Sequence, residues 1–159
     1  MVKPKDVCES ATISPVLKRK RDSTMLVIDS HTPTIALTPL DAKSLPQWLE
    51  QADDSARNWV TQNGFKARPA STCVLPDGAG NVTQLLIGMN PGDWLWSLAP
   101  AALALNAGTC ELKPFPTALN ARDAHLACLG FELATYAFTR YGKKSGQHPA
   151  LKIPAGVDA

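Results

Sequence analysis

The sequence lacks long apolar runs, paired cysteines and any strong excess of charge, and each absence excludes a class of protein. A transmembrane helix needs about 18 or more consecutive apolar residues, and no such run occurs. Charged residues make up 19% of the chain and the formal net charge is +2, so the overall field favours neither nucleic acid nor membrane. The N-terminal residues MVKPKDVCES include no apolar stretch of signal-peptide length. A cytoplasmic protein with no membrane partner is predicted.

The four cysteines, Cys8, Cys73, Cys110 and Cys128, include no C-x-x-C pair. Their spacing matches neither a zinc site nor a disulfide framework, so free thiols in a reducing compartment are predicted. The chain has 159 residues, 45% of them hydrophobic, which is enough for about one domain with a buried core.

The basic charge is concentrated at the start of the chain. Residues 1–24 carry six lysines and arginines against three acidic residues, whereas residues 25–159 carry ten against eleven. The first segment has no helical or strand periodicity, so a flexible basic tail over residues 1–24 and a folded domain over residues 25–159 are predicted. The cluster Lys18-Arg19-Lys20-Arg21 is of a kind that binds phosphates or acts as a nuclear signal, although a solvated tail is favoured. Met25 is an alternative start that would exclude the tail altogether.

From Met25 onward, strand and helix patterns alternate. Strands are predicted at 25–28, 34–37, 71–75, 82–87, 109–112 and 150–154, and helices at 45–60, 93–98 and 121–141. The 45–60 helix has one continuous apolar stripe, a Ser44–Gln47 capping box and an Asn63-Gly64 stop. Pro100 is expected to end the 93–98 helix. This alternation predicts an α/β fold in which helices pack on a mixed β-sheet.

Residues that commonly carry chemistry are few and isolated. His31, His125 and His148 have no second histidine three or four residues away, so no metal-ligand pair is predicted. The Asp53-Asp54 pair falls on the polar side of its helix. The G-x-G in 77–80 lacks the third glycine of a dinucleotide site, and a hairpin turn explains it.

Two further residue types are expected to be structural. Cys73 and Cys128 lie within a strand and a helix, where cysteine behaves as a small hydrophobe. Trp94 and Trp96 have rings that can stack on bases, but burial in the core is favoured. No catalytic, cofactor-binding or metal-binding residue is therefore predicted in this chain.

Three stretches resemble the N-terminal domain of the leucyl (cytosol) aminopeptidase family, particularly its bacterial branch. They are LVIDSHTPTIALTPLD, SLPQWLEQADDSARNWVTQNGFKARPASTCVLPD and LACLGFELATYAFTRYGKK. In the last of them, Leu129-Gly130, Tyr136, Phe138 and Tyr141 are similar to the family's segment before the domain linker. Gly130 lies inside a helix, where close helix–sheet contact is expected to explain it.

The resemblance implies an α/β domain of macro-like topology. Full-length members join it to a peptidase domain that binds two divalent metals, commonly zinc, manganese or magnesium. The family's metal-binding stretch, similar to N-T-D-A-E-G-R, does not occur in this chain, so no catalytic residue is carried over and the chain alone is expected to be inactive. The implied partners are the missing catalytic domain and neighbouring subunits of a hexamer, in which this domain lies outward.

Two functions remain open at this point. The first is the non-catalytic domain of a leucyl aminopeptidase, with a role in assembly and access. The second is a free-standing binding module that holds nucleic acid through the basic tail or a nucleotide in a macro-like cleft. Some family members bind DNA, but the charge of −1 over residues 25–159 makes a nucleic-acid partner the less favoured of the two.

Overall fold

A computed structural model describes residues 26–27, 33–116, 118–135, 148–152 and 154, with six strands and four helices among them. The strands are β1 (Leu26–Val27), β2 (Thr34–Leu40), β3 (Thr72–Pro76), β4 (Val82–Gly88), β5 (Thr109–Leu112) and β6 (Ala150–Lys152). The helices are α1 (Ser44–Gln51), α2 (Asp54–Gln62), α3 (Ala99–Ala104) and α4 (Ala121–Thr135).

The six strands form one mixed sheet in the order β1-β6-β5-β2-β4-β3. Each neighbouring pair is parallel except β3 and β4, which form an antiparallel hairpin at one edge. Parallel neighbours need crossover connections, and helices supply them between β2 and β4, between β4 and β5 and between β5 and β6. The predicted α/β fold with a mixed sheet is confirmed.

Both faces of the sheet are covered, as strand β4 shows. Leu85 and Ile87 point into a core shared with α3 and α4, whereas Leu86 points into a second core shared with α1 and α2. Successive side chains of a strand alternate between faces, so a strand buried on both sides needs an unbroken apolar run. Phe131 of α4 is fully buried in the first core, and Trp48 of α1 is buried in the second.

The helix predicted over residues 45–60 is two helices, because the backbone is extended at Ala52 and Asp53. The Asp53 carboxylate accepts a hydrogen bond from the Ala56 N–H at 2.7 Å and so begins α2. Arg57 donates to the carbonyls of Leu49 and Ala52, both at 3.0 Å, and these carbonyls lie at the end of α1. The pair at 53–54 is exposed as predicted, but its first member is a helix cap.

The other two helix starts also differ from prediction. Asp41 and Ser44 cap α1 reciprocally: the Asp41 carboxylate accepts from the Ser44 N–H at 2.7 Å, and the Ser44 hydroxyl accepts from the Asp41 N–H at 2.9 Å. The predicted Ser44–Gln47 box is therefore wrong. The helix expected at 93–98 instead spans 99–104, and Pro100 lies in its first turn, where a missing N–H costs nothing.

The predicted turns are confirmed, and some predicted ends lie outside the described residues. Gly64 follows α2 with φ 62°, and the Phe65 N–H donates to the Val60 carbonyl at 3.2 Å, as in a left-handed helix stop. The Asp77 carboxylate closes the β3–β4 turn by accepting from two backbone N–H groups. The tail 1–24 and the α4 extension over 136–141 are not described. Among the described residues, no helix is long and apolar enough to cross a membrane.

Candidate interaction surface

Helix α4 has apolar side chains on its outer side as well as on its buried side. Its buried face is formed by Ala124, Ala127, Cys128 and Phe131. Leu129 and Leu133, one turn apart, are 52% and 50% exposed, and Leu103 of the adjoining helix α3 is 71% exposed. These three side chains are called the outer leucines below. Exposed apolar residues on neighbouring helices are typical of a surface that another protein or domain covers.

A loop crosses α4 at Gly130 and leads to an exposed tryptophan. A Cβ added to Gly130 would overlap the backbone carbonyl of Leu95, so only glycine allows this close approach. The predicted helix–sheet contact is thus wrong in its partner, since the helix meets a loop. The same loop leaves Trp96 53% exposed, which corrects its expected burial, while Trp94 is half-buried.

Trp59 divides a cleft between α2 and the edge strand β3. Its indole N–H donates to the Val74 carbonyl at 2.8 Å, and the ring is 42% exposed. A cavity of about 580 Å³ on one side is also lined by Lys66, Arg68 and Thr72, and is called the basic cavity. A second cavity of about 530 Å³ is also lined by Asp53 and Asp77, and is called the acidic cavity.

The two ends of this cleft therefore carry opposite charge. Lys66 and Arg68 have no ion-pair partner among the described residues. At the other end, the hydrogen bonds that Asp77 accepts from the Asn81 side chain, then from backbone N–H groups, lower the pKa of its carboxyl. Asp77 is thus ionised at neutral pH. Sequence reasoning missed this cleft, because its residues are separated along the chain and match no motif.

The residues considered for chemistry form no catalytic group. His31 lies outside the described residues, and His125 is exposed on α4 with its ring Nδ1 3.2 Å from the Ala121 carbonyl oxygen. His148 is half-buried. Within the described part of the chain, no group of three or more histidine, cysteine or acidic residues is placed to hold a metal.

The cysteines that the structure describes are free, buried thiols. Burial raises the pKa of Cys110 and Cys128 to about 11 and that of Cys73 to a lesser value above the usual range. A thiol of this kind is protonated and poorly nucleophilic at neutral pH. Cys8 lies outside the described residues. The expectation that Cys73 and Cys128 serve as small core residues is confirmed.

Nothing described favours a nucleotide site. A third cavity, of about 320 Å³, lies between Trp48, Asp53 and Phe115, and no basic side chain lines it. Lys113, which follows β5, is paired with Glu111 at 3.0 Å. The basic tail proposed for nucleic acid is outside the described residues, so both binding hypotheses stay untested predictions.

Comparison with known proteins identifies the domain. The family model for the M17 aminopeptidase, N-terminal domain, matches residues 35–154. A cytosol aminopeptidase from Coxiella burnetii superposes with a TM-score of 0.70 at 24% identity, covering 84% of this chain and 29% of that one. No curated protein sequence gives a significant match.

Two further solved structures share the fold at lower similarity. The bottromycin maturation enzyme BotP in complex with Mn has a TM-score of 0.55 at 17% identity, over 79% of this chain and 27% of that one. A tomato leucine aminopeptidase mutant has a TM-score of 0.55 at 14% identity, over 84% of this chain and 32% of that one. This chain thus spans about a third of their length or less. It belongs to the M17 aminopeptidase family, of which it contains the N-terminal domain.

Proposed function

We propose that this chain is the non-catalytic N-terminal domain of a leucyl aminopeptidase-like metallo-exopeptidase, with a role in assembly and access. Such an enzyme releases N-terminal amino acids from peptides. Its two divalent metals, zinc, manganese or magnesium, would be held by a peptidase domain outside these 159 residues, with no cofactor bound by this domain. The family match over residues 35–154 to an N-terminal domain supports this assignment.

The observation that carries an assembly role is the exposure of the outer leucines. Their half-exposed or exposed side chains lie on two packed helices whose inner faces are fully buried, so the exposure is confined to one side of the helix layer. Burying the remaining apolar area of Leu129 and Leu133 would contribute about 1 kcal/mol each. The proposed cover is the peptidase domain or a neighbouring subunit of a hexamer.

The direct test is the intact mass of the endogenous protein, detected through an antibody against the α1–α2 segment. A product several-fold heavier than 17.0 kDa would place the domain at the start of an aminopeptidase. A product at 17.0 kDa, or slightly less if translation starts at Met25, would refute the proposed attachment. The Asp-to-Ala variant at position 53 tests only stability and cannot mimic either outcome.

The domain boundary and the location are part of the same proposal. The matched residues 35–154 lie within the proposed domain over 25–159, preceded by a flexible basic tail over 1–24. Brief trypsin treatment should cut within Lys18–Arg21 and leave a resistant fragment that begins near Met25. The proposed cytoplasmic location follows the cytosol aminopeptidase relative, and fractionation with the same antibody would test it.

A further inference from the structure

The basic cavity lies beside an edge of the sheet whose backbone groups are unpaired. The Ser71 carbonyl accepts from the Gly88 N–H at 2.7 Å and therefore faces β4, whereas the Val74 carbonyl faces away, toward Trp59. Backbone groups in an antiparallel strand alternate in this way, so those of Thr72 also face the free edge. Among the described residues, no partner occupies the Thr72 N–H, the Thr72 carbonyl or the Val74 N–H.

This free edge is short and closed at its far end. Trp59 occupies the Val74 carbonyl, and Pro76 has no N–H to offer. Proteins commonly block edge strands with such devices to prevent pairing along their whole length. What remains open is the segment around Thr72, which is the part that lines the basic cavity.

A strained turn holds the two cations at this open segment. Ala67 and Ala70 have φ values of 49° and 62°, a region that residues with a Cβ rarely adopt. The Arg68 carbonyl between them accepts from the Ser71 N–H at 3.0 Å, and a Cβ on Gly88 would overlap that carbonyl. Strained backbone persists where the surrounding structure enforces it, often beside binding sites.

We propose that the basic cavity binds a short extended peptide that bears a carboxylate. The peptide backbone would pair with Thr72 and the Val74 N–H as an added strand, and its carboxylate would meet Lys66 and Arg68. The exposed face of Trp59 would contact a peptide side chain. A carboxylate is favoured because both cations are unpaired and the nearest acidic groups, Asp53 and Asp77, line the other cavity. This peptide site goes beyond the assembly role and does not depend on it.

The test is fluorescence anisotropy of a labelled peptide, Gly-Val-Thr-Val-Asp, titrated with the 159-residue chain. The double substitution Lys66→Gln with Arg68→Gln should weaken binding about tenfold or more, since charge-assisted hydrogen bonds are lost. The matched control removes two exposed charges elsewhere, Lys43→Gln with Arg122→Gln, and should leave the affinity within about twofold. Equal weakening by both pairs would mean non-specific attraction and would overturn the proposal.

Changes to the peptide separate strand addition from simple anion binding and keep the protein unaltered. Methylation of the peptide backbone nitrogens removes the donors that would pair with Thr72, and should weaken binding about tenfold. The Asn variant with a free C-terminus and the Asp variant with an amidated C-terminus show which carboxylate is recognised. Binding that is insensitive to methylation would overturn strand addition.

Two other outcomes would also overturn the proposal. One is the absence of any anisotropy change at millimolar protein. The other is a second copy on the same edge, which sedimentation velocity would show as a dimer that the peptide cannot dissociate.

Discussion

Gly130 separates local helix propensity from tertiary packing at the scale of one residue. Alanine is a better helix former than glycine by about 1 kcal/mol, so α4 considered alone favours Gly130→Ala. In the folded domain the added Cβ overlaps the Leu95 carbonyl, and we expect a net destabilisation of about 2 kcal/mol in urea unfolding. Gly78→Ala is the control, because a Cβ there meets nothing within 4 Å and should change stability by less than about 0.5 kcal/mol. A more stable Gly130→Ala variant would disprove the close approach.

Two residues with the same backbone conformation allow a reciprocal test of strain. Gly64 and Ala70 both have φ 62°, and a Cβ on Gly64 would meet no atom within 4 Å. Gly64→Ala should therefore lose about 1 kcal/mol through backbone strain alone. Ala70→Gly should gain about 0.5 kcal/mol, because relief of strain is partly offset by the entropy of an unfolded glycine. Thermal unfolding of both variants measures the two changes, and equal signs would contradict the assigned conformations.

At the scale of elements, the break between α1 and α2 depends on one cap. Asp53→Ala removes the acceptor for the Ala56 N–H and should destabilise the domain by about 1 kcal/mol in urea unfolding. Asp54→Asn is the control, since Asp54 forms an exposed pair with Arg57 at 3.0 Å that contributes less than about 0.5 kcal/mol. Equal effects of the two substitutions would show that the cap does not begin α2.

The same element shows what a hydrophobic pattern can and cannot predict. The apolar stripe from Leu45 to Val60 correctly identified the buried side of α1 and α2, because both helices pack on one face of the sheet. It could not show the break, since two extended residues leave the stripe in place while the polar atoms of Asp53 and Arg57 close the ends. Strand β2 likewise runs past its predicted end at Leu37 to Leu40. Its Pro39 is tolerated because β5 pairs only with Thr34–Leu37.

At the scale of the whole molecule, we expect no peptide hydrolysis by these 159 residues. Two-metal hydrolysis requires several ligands that hold both ions near the scissile bond, and the described residues include no such group. Release of p-nitroaniline from leucine p-nitroanilide with zinc, manganese or magnesium should equal that of the metal alone. The Coxiella burnetii cytosol aminopeptidase serves as the positive control. A rate above the metal blank that survives further purification would contradict the proposed non-catalytic role.

Local patterns were sufficient for the parts of this protein whose causes are local. The runs in β3, β4 and β5, the turn at Asp77 and the stop at Gly64 each follow from backbone preferences of neighbouring residues. The family resemblance rested on ordered stretches of this kind and was confirmed. The buried role of Cys73 and Cys128 also follows from their position in a strand and a helix.

Other features depended on contacts between distant segments, which no window of sequence contains. The exposure of Trp96 follows from a loop held against Gly130, and the start of α3 follows from where that loop ends. The cleft beside Trp59 exists because α2 packs against β3 and leaves Thr72 at a free edge. Packing of this kind depends on the sum of many long-range contacts. It therefore assigned the surfaces of this domain, while local preferences had already assigned its strands and turns.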